Sequence, residues 1–316
     1  MSFARRSLPA ITLAAPALAQ QGRPTRLIVP FPAGGGLDTL ARAIAERLGA
    51  AWGQPVLVDN RPGGATVPGT DAVCKAPPDG HTLLMTADNS ITANPLIIRG
   101  LPHDPMRDLA PVSFLVEVHQ MVLATSRLAT PDLATLIQAA RSGTITYGSY
   151  GQGSQPHVLF SALAVDSGAD FTEIPYRGLP PAILGLLAGE VMLTLSGIAS
   201  AREHIAAGTM RALAVGRSAR FPALPDVPTL AEAGYPAIDP RTWFGVFAPA
   251  ATPAPVQARI SADIAAVMAG TALAARHLTP NGYTVHAATP EASRALVAED
   301  FAYKRQLLRR AGLALA

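Results

Sequence analysis

The chain has one cysteine, Cys74, in 316 residues, so it forms no internal disulfide. A small buried residue on a helix is the expected role for that side chain. Charge is scarce: charged residues make up 15% and aromatic residues 5% of the chain, against 49% hydrophobic. That balance excludes a disordered chain, and no basic stripe with interleaved aromatics is present to hold nucleic acid. Beyond the N-terminal stretch, no apolar run approaches the ~20 residues that span a bilayer. The sequences G-x-x-x-x-G-K-[ST] and H-E-x-x-H are both missing, and the seven histidines show no metal-ligand spacing. No cofactor and no metal are expected.

The N-terminal residues read as an export signal. Arg5-Arg6 supply a charged start, residues 11–18 are apolar, and Ala17-Leu18-Ala19 gives a small-x-small cleavage site. A signal peptide over residues 1–19, of Sec or twin-arginine type, implies a soluble periplasmic protein. Losing those two of 25 basic residues leaves 23 against 22 acidic ones, a formal charge of +1 instead of +3.

The chain is organised around residues 30–42, PFPAGGGLDTLAR. The apolar Leu27-Ile28-Val29 leads into Gly34, Gly35 and Gly36, and Leu37, Leu40, Ala41, Ile44 and Leu48 then fall on one helical face. A strand turning through glycine into a helix leaves unpaired N–H groups at the positive end of the helix dipole, a seat for an anion. The dinucleotide fingerprint fails, because Thr39 stands where glycine or alanine belongs. No lysine or arginine lies between Pro30 and Ala41, which favours a carboxylate over a phosphate. Asp38 is a candidate functional carboxylate, though an acid in a helix's first turn more often serves the dipole.

Two further strand–loop–helix units follow, with strands at residues 55–59 and 81–86 and exit loops at 60–65 and 87–90. Repeated units of this kind build a parallel sheet covered by helices, with ligands beyond the strands' carboxyl ends. Residues 112–125 read as a crossing strand, and a second α/β series runs from 144 to 216. The expected fold is α/β, two domains, each a mostly parallel sheet flanked by helices. Domain 1 is residues 22–122 plus 246–316 and domain 2 is 123–245, with the ligand cleft between them. A short helix is expected at 229–233, and a final helix at 290–310 packs on the first domain.

The second series carries a loop that mirrors the first, residues 147–157, YGSYGQGSQPH. Gly151 and Gly153 free the backbone, while Ser149, Gln152, Ser154 and Gln155 offer hydrogen bonds. Ser154 also suits a helix N-cap. Ser149 and His157 lie within reach of each other, so an exported α/β serine hydrolase is a rival reading, although Gly-Ser-Tyr-Gly is not the G-x-S-x-G elbow.

These residues resemble the periplasmic solute receptors of tripartite tricarboxylate transporters, the Bug family. RLIVPFPAGGGLDTLAR, QPVLVDNRPGG, PPDGHTLL, DLAPVSFL, YGSYGQGSQPH, IPYRG, RALAV, PALPDVPTLAEAGYP and WFGVFAPA stand in the family's order. The resemblance implies a two-domain clamshell that binds a small carboxylate and delivers it to membrane permease subunits. A monomer without enzymatic activity is expected. By position it implies that Phe31 and Gly34 to Gly36, Thr86 to Asn89, and Ser149 to His157 wall the cleft, with Tyr176 beside them. One departure concerns Ser196-Gly197, which stand where the family carries Asp-Asn, with Ser196 counted among the expected ligand-binding residues. Losing that carboxylate predicts poorer binding of amino acids than of plain carboxylates. Gln155-Pro156 likewise replaces small hydroxyl residues, which alters the donors at that loop.

Overall fold

The computed structural model describes residues 23–216, 219–313, 315 and 316; the export-signal reading of residues 1–19 lies outside them. Strands β1 (Thr25–Val29), β2 (Val56–Asn60) and β3 (Thr82–Ala87) alternate with helices α1 (Gly36–Trp52) and α2 (Val67–Cys74). Short helices α3 (Asn94–Ile97) and α4 (Pro105–Asp108) lead to β4 (Leu109–Val118), and β5 (Gln120–Thr125) opens the second series. There α5 (Leu133–Ser142), β6 (Ile145–Ser149), α6 (Gln155–Ser167), β7 (Phe171–Pro175), α7 (Leu179–Ala188), β8 (Leu193–Gly197), α8 (Arg202–Ala206) and β9 (Met210–Gly216) follow in turn. The chain returns through β10 (Thr242–Pro249), α9 (Ala254–Met268), α10 (Thr271–Leu273), β11 (Thr284–Val285) and α11 (Pro290–Arg310).

Two sheets result, ordered β11-β4-β10-β3-β1-β2 and β7-β6-β8-β5-β9. In the first, β1 runs parallel to β2 and β3, while β10 is antiparallel to both β3 and β4. In the second, β6 runs parallel to β7 and β8, and β5 is antiparallel to β8 and β9. Most strands of each sheet therefore point one way, and the strands that run against them include the two entering from the other sheet, β5 and β10. Both faces of each sheet are covered, so strands alternate between two cores instead of between core and water. Leu27 and Val29 pack with α1 and α9, while Ile28 packs with Val73 of α2 and Val297 of α11. Met121 and Leu123 likewise face one core of the second sheet, and Val122 and Ala124 the other.

Several expectations change. The crossing strand breaks at His119 into β4 and β5, because each half pairs with a different sheet. As β5 and β10 each lie within one sheet, the expected boundaries at 122/123 and 245/246 fall inside strands. Residues 87–90 are not an open loop, since the chain coils at once into a helical turn at Asn89–Ala93. The helix expected at 229–233 is a series of turns, held by a bridge from Val215 to Thr229. Helix α11 does not rest on the first sheet alone. Val297 belongs to a core of the first sheet, while Leu307, Leu308 and Ala311 belong to a core of the second.

Candidate functional site

The carboxyl ends of β1, β2, β3, β6 and β7 open onto one cleft between the sheets. Its outer chamber, about 520 Å³, is lined by residues from 30–32, 62–66, Asn89, 150–154 and 176–178. A smaller inner chamber of about 90 Å³ shares Phe31, Pro32, Asn89 and Tyr150 with it and adds Gly35, Gly36, Asp38 and Asp88. Helices α1, α2, α6 and α7 all begin at these loops, so four helix N-termini present unpaired N–H groups and partial positive charge around the cleft. Arg177 is the one charged side chain among the described residues lining the outer chamber, and it has no ion-pair or hydrogen-bond partner there. Tyr150 likewise carries a hydroxyl with no protein partner among the described residues. An anion would meet neutral donors, helix dipoles and one free cation.

Of the residues singled out from sequence, Phe31, Asn89, Gly151, Gln152, Ser154 and Tyr176 line the outer chamber. Ser154 does occupy the N-cap position of α6, but its buried hydroxyl makes no cap bond and has no partner. Gly35 and Gly36 line the inner chamber, and Gly34 a neighbouring groove. Asp38 lines the inner chamber too, yet its carboxylate is committed. It accepts from Gly34 N at 2.9 Å, Arg42 Nε at 3.1 Å and Asn60 Nδ2 at 2.9 Å. Burial alone would raise its pKa, but these bonds outweigh it and hold the carboxyl below the usual range. Asp38 braces the glycine loop.

Thr86, Ser196 and Gly153 are not on the lining of either chamber. Thr86 is fully buried and bonds Ser90 Oγ at 2.6 Å. Ser196, 1% exposed, donates to the neighbouring Gly197 carbonyl at 3.1 Å. Gly153 has φ 75°, and a Cβ there would lie 2.0 Å from Ile97 Cδ1, so glycine is required for packing between the sheets. Tyr176 donates its hydroxyl to Glu190 at 3.1 Å, which fixes the ring that forms part of the wall. Gln155 lines the inner chamber, but its amide nitrogen is used by Asp88 and by the Arg241 carbonyl.

The serine–histidine pair does not form. Ser149, fully buried, donates to Glu173 Oε1 at 2.5 Å and accepts from Gly151 N at 3.1 Å. His157 Nδ1 accepts from Gly153 N at 3.1 Å, and its Nε2 lies 4.0 Å from Glu173. Burial holds the His157 pKa below its ordinary value, only partly offset by the Glu173 carboxylate. The histidine is thus a neutral brace, with no hydrogen bond to the serine it would have to activate.

Sequence reading missed the third wall. Gly63, Gly64, Ala65 and Thr66 all have positive φ, at 103°, 50°, 50° and 73°. For Ala65 and Thr66 this is a strained conformation costing about 1–3 kcal/mol each, and such strain gathers where a ligand must be met. Neighbours impose it: Asn94 Nδ2 donates to the Ala65 carbonyl at 2.6 Å and to Thr66 Oγ1 at 3.2 Å, and Ser90 Oγ donates to Thr66 Oγ1 at 2.8 Å. The signal was present, since this loop leaves a strand at the same edge as the glycines at 34–36. Arg177 and Gly178 were overlooked similarly. A Cβ at Gly178, φ 140°, would lie 2.7 Å from Pro32 Cγ, so the β7–α7 turn touches the β1–α1 loop across the cleft mouth.

Two α/β lobes whose strand ends face one another over a ligand-sized, helix-tipped cleft define a solute-binding clamshell. Residues 40–313 match the family model of the tripartite tricarboxylate transporter family receptor. The protein BugT of Bordetella pertussis is 35% identical over 296 residues, covering 93% of this chain and 90% of that one. The solved structure of R. palustris Rpa4515 with adipate is 31% identical at a TM-score of 0.87, covering 92% of this chain and 97% of that one. MatC (Rpa3494) from Rhodopseudomonas palustris with bound malate is 29% identical at 0.85, over 90% and 99%. The chain belongs to the tripartite tricarboxylate transporter receptor family, to which the Bug proteins also belong.

Proposed function

We propose that this protein is a non-catalytic periplasmic receptor that closes on a small organic carboxylate and passes it to membrane permease subunits. The observation that carries this reading is the convergence of four helix N-termini on a cleft whose outer chamber is lined, among the described residues, by neutral donors and one cation, with no carboxylate. Relatives of the same fold hold adipate and malate, both carboxylates. The donors proposed to face the ligand are the N–H groups of the loops at 31–36, 63–66 and 150–154 other than those of Gly34, Thr66, Gly151, Gly153 and Ser154, which bond within the protein, together with the side chains of Asn89, Tyr150, Ser154 and Arg177. The commitments of Ser149 and His157 to Glu173 and Gly153 speak against the hydrolase alternative. We place the lobe boundaries at His119 and within 219–241, with the receptor acting as a monomer.

A melting-temperature screen of the mature chain against mono-, di- and tricarboxylates tests the reading. A ligand at 100 times its dissociation constant adds about 2.7 kcal/mol, an upward shift of several degrees. No shift with any carboxylate, or turnover of an ester lost in Ser149→Ala, would overturn it.

A further inference from the structure

At the inner end of the cleft lies a buried ionic cluster, reached through Asp88 and Gln155 on the wall of the smaller chamber. Asp88 and Lys304 are each 1% exposed and pair at 2.7 Å. Asp300, four residues before Lys304 on α11, is buried and accepts from Thr92 Oγ1 at 2.6 Å. Asp88 pairs with the ammonium directly, Asp300 attracts it without a direct contact, and Oδ1 of each carboxylate has no hydrogen-bond partner. An arrangement like this is a poor source of stability, because desolvating the ions costs as much as their attraction returns. Its position suggests another use.

Gln155 reaches this cluster from the second lobe. It is the first residue of α6, directly after the cleft loop, and its Nε2 donates to Asp88 Oδ2 and to the Arg241 carbonyl, the latter at 2.7 Å. Lys304 Nζ donates to the same carbonyl at 2.9 Å. Arg241 stands immediately before β10, where the chain crosses back to the first sheet. Helix α11 grips that crossing again. The Tyr303 hydroxyl accepts from Asp239 N at 3.0 Å and donates to the Asp239 carbonyl at 2.5 Å, and Arg241 pairs with Glu299 at 3.3 Å. Gln155 after the cleft loop, the interlobe crossing and the C-terminal helix all meet at the Arg241 carbonyl.

We propose that Gln155 is a positioning residue which, with Asp88 and Lys304, forms a clasp that holds the cleft loop against the first lobe and biases the empty receptor toward closure. The clasp rests on the receptor reading above and replaces the sequence-based expectation that Gln155 donates to the ligand, since both amide hydrogens are spent on protein acceptors. Its contacts join elements of different sheets, so they exist when the lobes are together and are lost when they part. Only such differential contacts shift a conformational equilibrium. A larger closed fraction in turn raises the apparent ligand affinity.

The groups facing Asp88 are Lys304 and Asp300 from α11, Gln155 from α6 and Tyr150 from the cleft loop. Burial raises the Asp88 pKa to about 6 despite the lysine. In Gln155→Glu an introduced carboxylate would therefore oppose an ionised Asp88 above that pH and share a proton with it below. The wild-type amide donates to either form.

Small-angle scattering of the ligand-free mature chain, with calorimetric titration of succinate, tests the clasp at about pH 8 and about pH 5.5, on either side of the Asp88 transition. Wild type is expected to stay compact at both. Gln155→Glu should expand at the higher pH, bind succinate at least tenfold more weakly there, and recover both properties at the lower pH. Gln155→Met, which removes the donors without adding charge, should be more open than wild type at both pH values. A folded Gln155→Glu that is as compact as wild type at pH 8, or equally expanded at both, would overturn the clasp. Should Gln155→Glu fail to fold, a Gln155→Met chain as compact as wild type would overturn it equally. If wild type binds no carboxylate while the scattering pattern holds, the ligand reading fails and the clasp stands.

Discussion

At the scale of single residues, the cleft loop 149–157 shows how little of a hydrogen-bonding residue's role its type reveals. Ser149, His157 and Gln155 offer the chemistry of a site, yet all three are spent on the protein itself. The His157 arrangement has a consequence in pH. A neutral ring is needed for Nδ1 to accept the Gly153 N–H, and burial holds the folded pKa below its usual value. The unfolded chain takes up that proton near pH 6.5, whereas the folded one resists until lower pH. Stability from this group is thus present above about pH 6.5 and falls as acid titrates the window below it. Asp88 acts in the opposite sense, because its raised pKa favours the folded state as pH falls toward 4. The comparison that isolates His157 is with His157→Asn, whose amide oxygen accepts at any pH. Wild type should lose more melting temperature between pH 7.5 and about pH 5 than this variant.

Among whole elements, α11 departs most from expectation. Its amphipathic pattern predicted a helix at 290–310, which is where it lies, but the pattern was silent about the partner. Its first half packs under the first sheet and its last turns under the second, across about 31 Å at 1.5 Å per residue. A single ion on it separates buried from exposed electrostatics. Lys304→Met would leave Asp88 and Asp300 buried without a cation and should cost about 3–5 kcal/mol. Arg310 on the same helix pairs with Asp166 at 2.9 Å with its side chain half exposed. Removing that pair should cost less than about 1 kcal/mol. Urea unfolding of both variants checks the contrast, and equal losses would mean that Lys304 is not shielded from water.

For the molecule as a whole, the arrangement of charge around the cleft decides the ligand class. Strand β8 ends in Ser196-Gly197, and no carboxylate lines the outer chamber among the described residues. Asp38 and Asp88, at the inner chamber, are already matched by Arg42 and Lys304. A ligand ammonium would find Arg177 and helix N-termini, all of the wrong sign. Succinate should therefore bind more tightly than aspartate in calorimetric titration. Equal or tighter binding of aspartate would overturn that.

What the sequence by itself determined is local. Apolar runs flanked by glycine and proline set the strands and their exits, the 3.6-residue period set the long helices, and the order of units set which sheet edge faces the cleft. The glycines at 34–36, 151 and 153 were legible as turn formers, although the packing against Ile97 that also requires Gly153 was not. Tertiary structure alone decided which donors at that edge are free. Gln155 and Asp88 are 67 residues apart, and Ser149 and Glu173 are 24 apart. Whether such groups meet depends on how two sheets and one long helix pack. Neighbour spacing carries no record of that, so two walls of the cleft could be read in advance and its unpaired atoms could not.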